Sequence, residues 1–155
     1  MKITIYGAGA IGGWMGARLA QTGHTVSAVA RGDTLTALQT HGLRLQQGDD
    51  TLAVPVNAQA NPADMGVQDL VIVAVKAPAM AQVAKAIAPL LGPDTVVLTA
   101  MNGVPWWFFE GFGNALAGTR LNAVDPDGSI AQAIPGHHIV GCVVHASCAL
   151  KGPGF

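Results

Sequence analysis

Gly7-Ala8-Gly9-Ala10-Ile11-Gly12 follows directly on a short β-branched run, Lys2–Tyr6 (K-I-T-I-Y), and the pair leaves the chain little freedom in choosing a fold. The run reads as a strand that ends in a glycine turn. Residues 11–21 then carry Ile11, Met15, Leu19 and Ala20 at helical spacing, with Gly23 as the stop signal. Thr25 to Ala30 (T-V-S-A-V-A) reads as a second buried strand. Strand, glycine turn, helix and strand in that order make a βαβ unit, which commits the chain to an α/β layer architecture with parallel strands.

The six residues fit G-x-G-x-x-G. Alone that match is weak, but a strand before it and a helix after it are the context that dinucleotide binding requires. Gly7 permits the tight turn, Gly9 lets the backbone approach a pyrophosphate, and Gly12 lets helix and strand pack closely. The helix N-terminus adds free N–H groups and a positive dipole end for phosphates. Gly7, Ala8, Gly9, Ala10, Ile11 and Gly12 are therefore the candidate cofactor contacts. The competing reading is a glycine-rich turn without a ligand. The second strand decides which cofactor. Sites for NAD place Asp or Glu there on the ribose 2′-OH. Here the strand ends Val29-Ala30-Arg31, and the first carboxylate is Asp33. A guanidinium binds a phosphate bidentately, so Arg31 predicts NADP.

Further along, Thr34 to Thr40 reads as a short helix closed by Gly42, and Leu43–Gln47 with Thr51–Val56 as a hairpin around Gly48-Asp49-Asp50. Leu70–Val75 is an uninterrupted apolar strand, as expected where both sheet faces are covered. Ala79 to Leu91 reads as a helix, Thr95–Ala100 as a strand, Pro105 as the opening of another helix, Ala123 to Gly136 as mostly loop with one helical turn, and His138 to Ser147 as a long final strand. The alternation predicts a Rossmann-like, doubly wound, mostly parallel sheet forming one domain over residues 1–155.

With 155 residues, half of them hydrophobic and a formal charge of −1, the chain can bury a core but lacks the basic face that nucleic acid or an acidic membrane demands. The apolar stretches Met1–Ala20 and Leu70–Leu91 are broken by glycine, proline and lysine, so neither reads as a signal peptide or a span; a soluble, cytoplasmic protein is expected. Cys142 and Cys148 are not CxxC and have no partner pair, and the histidines His137, His138 and His145 read as ordinary strand residues, so no metal site is expected.

Ligands of such sheets bind beyond the carboxyl ends of the strands. Lys76 follows one strand and can pair with a phosphate or a substrate carboxylate. Asn102 follows the next and can hydrogen-bond the nicotinamide ribose or the substrate. Taken singly, Lys76 also reads as a strand-end lysine reaching solvent, and Asn102-Gly103 as a simple turn. Trp106-Trp107-Phe108-Phe109 cannot all face one side of a helix, so part of that run is expected at the surface, against a missing domain or around a pocket.

Gly7–Gly12, Ala30-Arg31, Val75–Ala77, Met101–Pro105 (M-N-G-V-P) and Gly141–His145 (G-C-V-V-H) together resemble the ketopantoate reductases (2-dehydropantoate 2-reductases), over nearly the whole chain. The resemblance implies a two-domain enzyme of about twice this length that reduces 2-dehydropantoate, a keto acid, to pantoate with NADPH, for pantothenate and coenzyme A synthesis. It implies that Lys76 and Asn102 lie beside cofactor and substrate, and that the general acid is a lysine of a helical C-terminal domain. This chain stops at Phe155, so that acid is expected beyond it, no catalytic residue is assigned within it, and cofactor binding with little turnover is expected. Two alternatives stay open: a nucleotide-sensing regulatory module, and a reductase of another 2-keto acid. The residues leave the oligomeric state undetermined.

Overall fold

A computed structural model of the chain describes residues 1–111, 113 and 115–155. In chain order the elements are β1 (Lys2–Tyr6), α1 (Ala10–Gln21), β2 (Thr25–Val29), α2 (Gly32–His41), β3 (Leu43–Gln47), β4 (Asp50–Val54), β5 (Asn57–Gln59), β6 (Leu70–Val73), α3 (Met80–Ala86), β7 (Val96–Ala100), α4 (Ser129–Ala133) and β8 (Ile139–Cys142).

Six strands form one sheet in the order β5-β2-β1-β6-β7-β8, and every pairing in it is parallel. The chain winds outward from β1 in one direction, then returns to lay β6 on β1's other flank. The strand order reverses between β1 and β6, which is where such sheets open a crevice at their carboxyl ends. β3 and β4 pair antiparallel as the expected hairpin, apart from the main sheet.

Alternation along the strands divides the core between the sheet's two faces. Ile3, Ile5 and Ile72 pack on the face covered by α1 and the hairpin, with Ala17, Leu38 and Leu43. Val71, Val73 and Val97 pack on the opposite face with Val83 of α3, Ile130 of α4 and Trp106. Both faces are therefore dry, which is why the central strands read as continuous apolar runs. Each fully buried Ile or Val contributes about 1.5–3 kcal/mol relative to exposure.

Four expectations are corrected. The helix expected over Ala79–Leu91 is shorter: a 3-10 turn at Ala77–Ala79, α3 itself, then a second 3-10 turn at Ala88–Leu90. Pro89 has no N–H to continue an α-helical ladder and its ring crowds the preceding turn. Pro105 opens no helix among the described residues. Residues 106–111 form successive turns, with Phe108 N–H bonded to the Pro105 carbonyl at 3.2 Å and Glu110 N–H to the Trp107 carbonyl at 2.9 Å. The rings there take different surroundings: Trp106 is buried, Trp107 lies over Gly141, and Phe108 is exposed. The final strand is only β8, because β7 ends at Ala100 and offers no backbone beyond it. β5 was not anticipated; Asn-Ala-Gln is short and polar, and only Ala58 of it is buried, at the sheet edge.

Candidate functional site

Beyond the carboxyl ends of β1 and β2 lies a cleft of about 560 Å³. Gly7, Ala8 and Gly9 contribute the glycine loop, and Ala30, Arg31 and Thr34 come from the end of β2 and the first turn of α2. Val75 follows β6, and Leu150–Gly154 return from the other end of the sequence to complete the lining.

The loop's glycines differ in what surrounds them. Gly7 has φ +98°, and a Cβ there would lie 2.6 Å from Val75 Cγ1 and 2.9 Å from the Ala74 carbonyl oxygen. A Cβ on Gly12 would lie 2.2 Å from the Gly7 carbonyl oxygen. These two are required by the protein itself. A Cβ on Gly9 meets nothing within 4 Å, so the space beside it is open to a ligand. Gly9 also caps α1 with no side-chain hydrogen bond, and the first helical bond runs from Gly13 N–H to the Gly9 carbonyl at 2.7 Å. The amides ahead of Gly13 have no intrahelical acceptor and suit an anion. A diphosphate fits this loop on those grounds: an open approach, free donors and no carboxylate in the lining.

Arg31 is exposed and stands at the N-cap of α2. Its charge reaches Tyr6, whose ring is buried at the end of β1. Burial raises the Tyr6 phenol above its ordinary value, and the guanidinium opposes that rise. Asp33 lies in the first turn of α2 and does not line the cleft.

The sequence-derived residues do not all meet. Gly7, Ala8, Gly9 and Arg31 line the first cleft, whereas Ala10, Ile11 and Gly12 lie within α1 and do not. Lys76 is exposed on the ridge beyond β6: its neighbour Val75 lines the first cleft and Ala77 lines a second. That second cleft, also about 560 Å³, is mostly apolar and includes Thr99, Met101, Asn102, Trp107 and Cys142. The Thr99 hydroxyl and the Trp107 indole N–H are buried there without a hydrogen-bond partner among the described residues.

Asn102 already has work to do. Its Nδ2 donates to the Val144 carbonyl at 3.1 Å, and its Oδ1 accepts from Val144 N–H at 2.8 Å. The amide thus stands in for the strand backbone that β7 lacks. One N–H and one lone pair of that side chain remain for a ligand.

Sequence reasoning missed Tyr6, Thr34 and the Leu150–Gly154 segment. Thr34, three positions after Arg31 on a predicted helix, was detectable; Lys151 was not, because only the tertiary return of the chain brings it to the glycine loop. Among the described residues no group of three His, Cys, Asp or Glu side chains could hold a metal ion, and no helix is long and apolar enough to cross a membrane. His138 is used structurally, its Nδ1 2.7 Å from the Thr95 carbonyl oxygen.

Comparison with known proteins agrees with this architecture. The family model described as ketopantoate reductase PanE/ApbA matches residues 3–105. A 2-dehydropantoate 2-reductase of Mesorhizobium japonicum is 51% identical over 100% of this chain, and the match covers 48% of that relative. A crystal structure from Ralstonia solanacearum MolK2, classed with the ketopantoate reductases, superposes with a TM-score of 0.94 at 59% identity, covering 98% of this chain and 47% of its own. The 2-dehydropantoate 2-reductase of Geobacter metallireducens superposes at 0.77 with 26% identity, covering 99% of this chain and 44% of its own. The chain thus spans about half the length of these relatives. From the glycine loop through the β7 turn, its sequence and its fold are those of the ketopantoate reductase family, to which this chain belongs.

Proposed function

We propose that this chain is the coenzyme-binding half of an NADPH-dependent reductase that converts 2-dehydropantoate to pantoate. One observation carries the coenzyme reading: a cleft opens over Gly9, beside the free amides of α1, with Arg31 in its lining and no carboxylate. The bound coenzyme would supply a hydride for the keto carbon.

The chain's own residues have separate tasks. The Gly7–Gly9 backbone and the first turn of α1 hold the diphosphate. Arg31 neutralises the 2′-phosphate and thereby favours the coenzyme that carries it. Lys76, on the ridge between the clefts, offers its ammonium to a substrate carboxylate or to phosphate. Asn102 fixes the Val144 segment and presents its remaining N–H to the ribose or substrate. Reduction of a ketone also needs a proton donor for the developing alkoxide. We assign that role to no residue of this chain, and bound coenzyme with little turnover is the expected behaviour. Family membership favours this reading over a purely regulatory nucleotide sensor.

Calorimetric titration with NADPH and NADH tests the coenzyme assignment directly. NADPH is expected to bind about ten- to a hundredfold more tightly, and Arg31→Ala to remove most of the difference. Absence of binding by both coenzymes at millimolar concentration overturns the reading. For the reaction, coenzyme oxidation with 2-dehydropantoate is compared between this chain and the Mesorhizobium relative. Equal rates would refute the division of labour.

A further inference from the structure

We infer that Lys151, in the lining of the same cleft as Arg31, is a second cation of the subsite for the coenzyme's 2′-phosphate. The inference rests on the NADP reading above and extends it to a residue from the opposite end of the chain.

Among the described residues, Arg31 and Lys151 are the only charged ones in the lining of the first cleft, and both are cationic. The chain as a whole carries slightly more acids than bases, so this is a local concentration of positive charge against the global balance. Thr34, in the first turn of α2, adds a hydroxyl-bearing residue to the lining. A phosphate monoester matches that donor set: two cations for its charge and an O–H for an oxygen. A ribose hydroxyl needs none of this charge.

The segment that carries Lys151 is held by contacts that do not involve its ammonium. Arg44 N–H donates to the Gly154 carbonyl at 3.2 Å, the Arg44 guanidinium donates to the Pro153 carbonyl at 2.9 Å, and the same guanidinium stacks over the Phe155 ring, 4.9 Å from its centre. Lys151 N–H closes on the Phe155 carbonyl at 2.7 Å. The ammonium itself is steered by two neighbours: it donates to Gln46 Oε1 and lies 5.8 Å from the centre of the Phe155 ring. An ammonium has three N–H donors and Gln46 takes one, so the others are free to serve an anion. Replacing Lys151 should therefore remove the charge and leave the wall standing.

Calorimetry with adenosine 2′,5′-diphosphate and with adenosine 5′-monophosphate isolates the subsite, since the two differ only in the 2′-phosphate. Lys151→Gln is expected to weaken the diphosphate roughly five- to tenfold and leave the monophosphate unchanged, with Lys151→Arg restoring affinity. The wild-type preference for the diphosphate should also fall more steeply with salt than that of Lys151→Gln. If Lys151→Gln keeps the full preference while Arg31→Ala loses it, this inference fails and the NADP reading stands. If both ligands weaken equally in Lys151→Gln, the residue only braces the wall, and the inference fails likewise. If the wild-type chain shows no preference for the diphosphate, the NADP reading fails and Lys151 falls with it.

Discussion

Tyr6 is the chain's single tyrosine, so its titration can be followed without interference. Its phenol is pushed above the ordinary 10.0 by burial, against the pull of Arg31. Phenolate absorbance should rise late in a pH titration, and later still in Arg31→Ala, where the opposing charge is gone. An unchanged midpoint in that variant would show that the guanidinium does not reach the ring. The consequence for stability has a definite sign. Below 10.0 folded and unfolded chains both keep the proton; above it the unfolded chain releases a proton that the folded chain retains. Stability is therefore expected to fall as pH rises from 10.0 through the folded value, and denaturant midpoints measured on both sides of that point check it. Asn102 makes a second test at this scale. Asn102→Ala removes two hydrogen bonds to Val144, both solvent-accessible, and should cost about 0.5–1.5 kcal/mol in chemical denaturation. Asn-Gly reads in a sequence as a turn, and the backbone does bend at Gly103, at φ +100°, though without a turn hydrogen bond. That reading could not disclose that the side chain completes a ladder, because its partner lies at Val144.

Among the elements, the glycine loop and α1 supply a paired experiment. Gly9→Ala introduces a Cβ into open space at an ordinary backbone conformation, φ −79°, so the melting temperature should scarcely change. NADPH affinity should drop, because that space is where we place the diphosphate. Gly12→Ala forces a Cβ against the Gly7 carbonyl and should cost about 1–3 kcal/mol or more by overpacking, before any ligand is added. Equal melting temperatures for the two variants would contradict the separation of roles. This motif was legible because its spacing encodes both the turn and the packing. The strands β1, β2, β6 and β7 were legible for a related reason: burial on both faces writes them as apolar runs. Elements shaped by a neighbour were not. Residues 105–111 contain good apolar residues behind an N-terminal proline, yet they form turns. Trp106 is buried within one core layer, while Trp107 packs on the edge of that layer over the Gly141 backbone. β5 exists only because the β2 edge is there to pair with it.

At the scale of the whole molecule, the two core layers and the cleft are coupled through the sheet. Ile72→Ala, at a position fully enclosed between β1 and β7, is expected to cost about 2–5 kcal/mol and to lower ligand affinity only as far as it unfolds the chain. NADPH at a hundredfold excess over its Kd should contribute about 2.7 kcal/mol and raise the melting temperature by roughly 5–10 °C in a chain of this size. NADH at the same concentration should raise it less. The cleft itself is assembled from Gly7, Arg31, Val75 and Lys151, four stations spread along almost the entire polypeptide. Whatever occupies it acts as a clasp across that distance. Exposed stretches without regular secondary structure are ordinarily open to proteases, and the segment around Lys151 is one of them. Here the residues around Lys151 should become resistant to digestion as coenzyme is added, so a cut site remote in sequence would report what happens at the glycine loop.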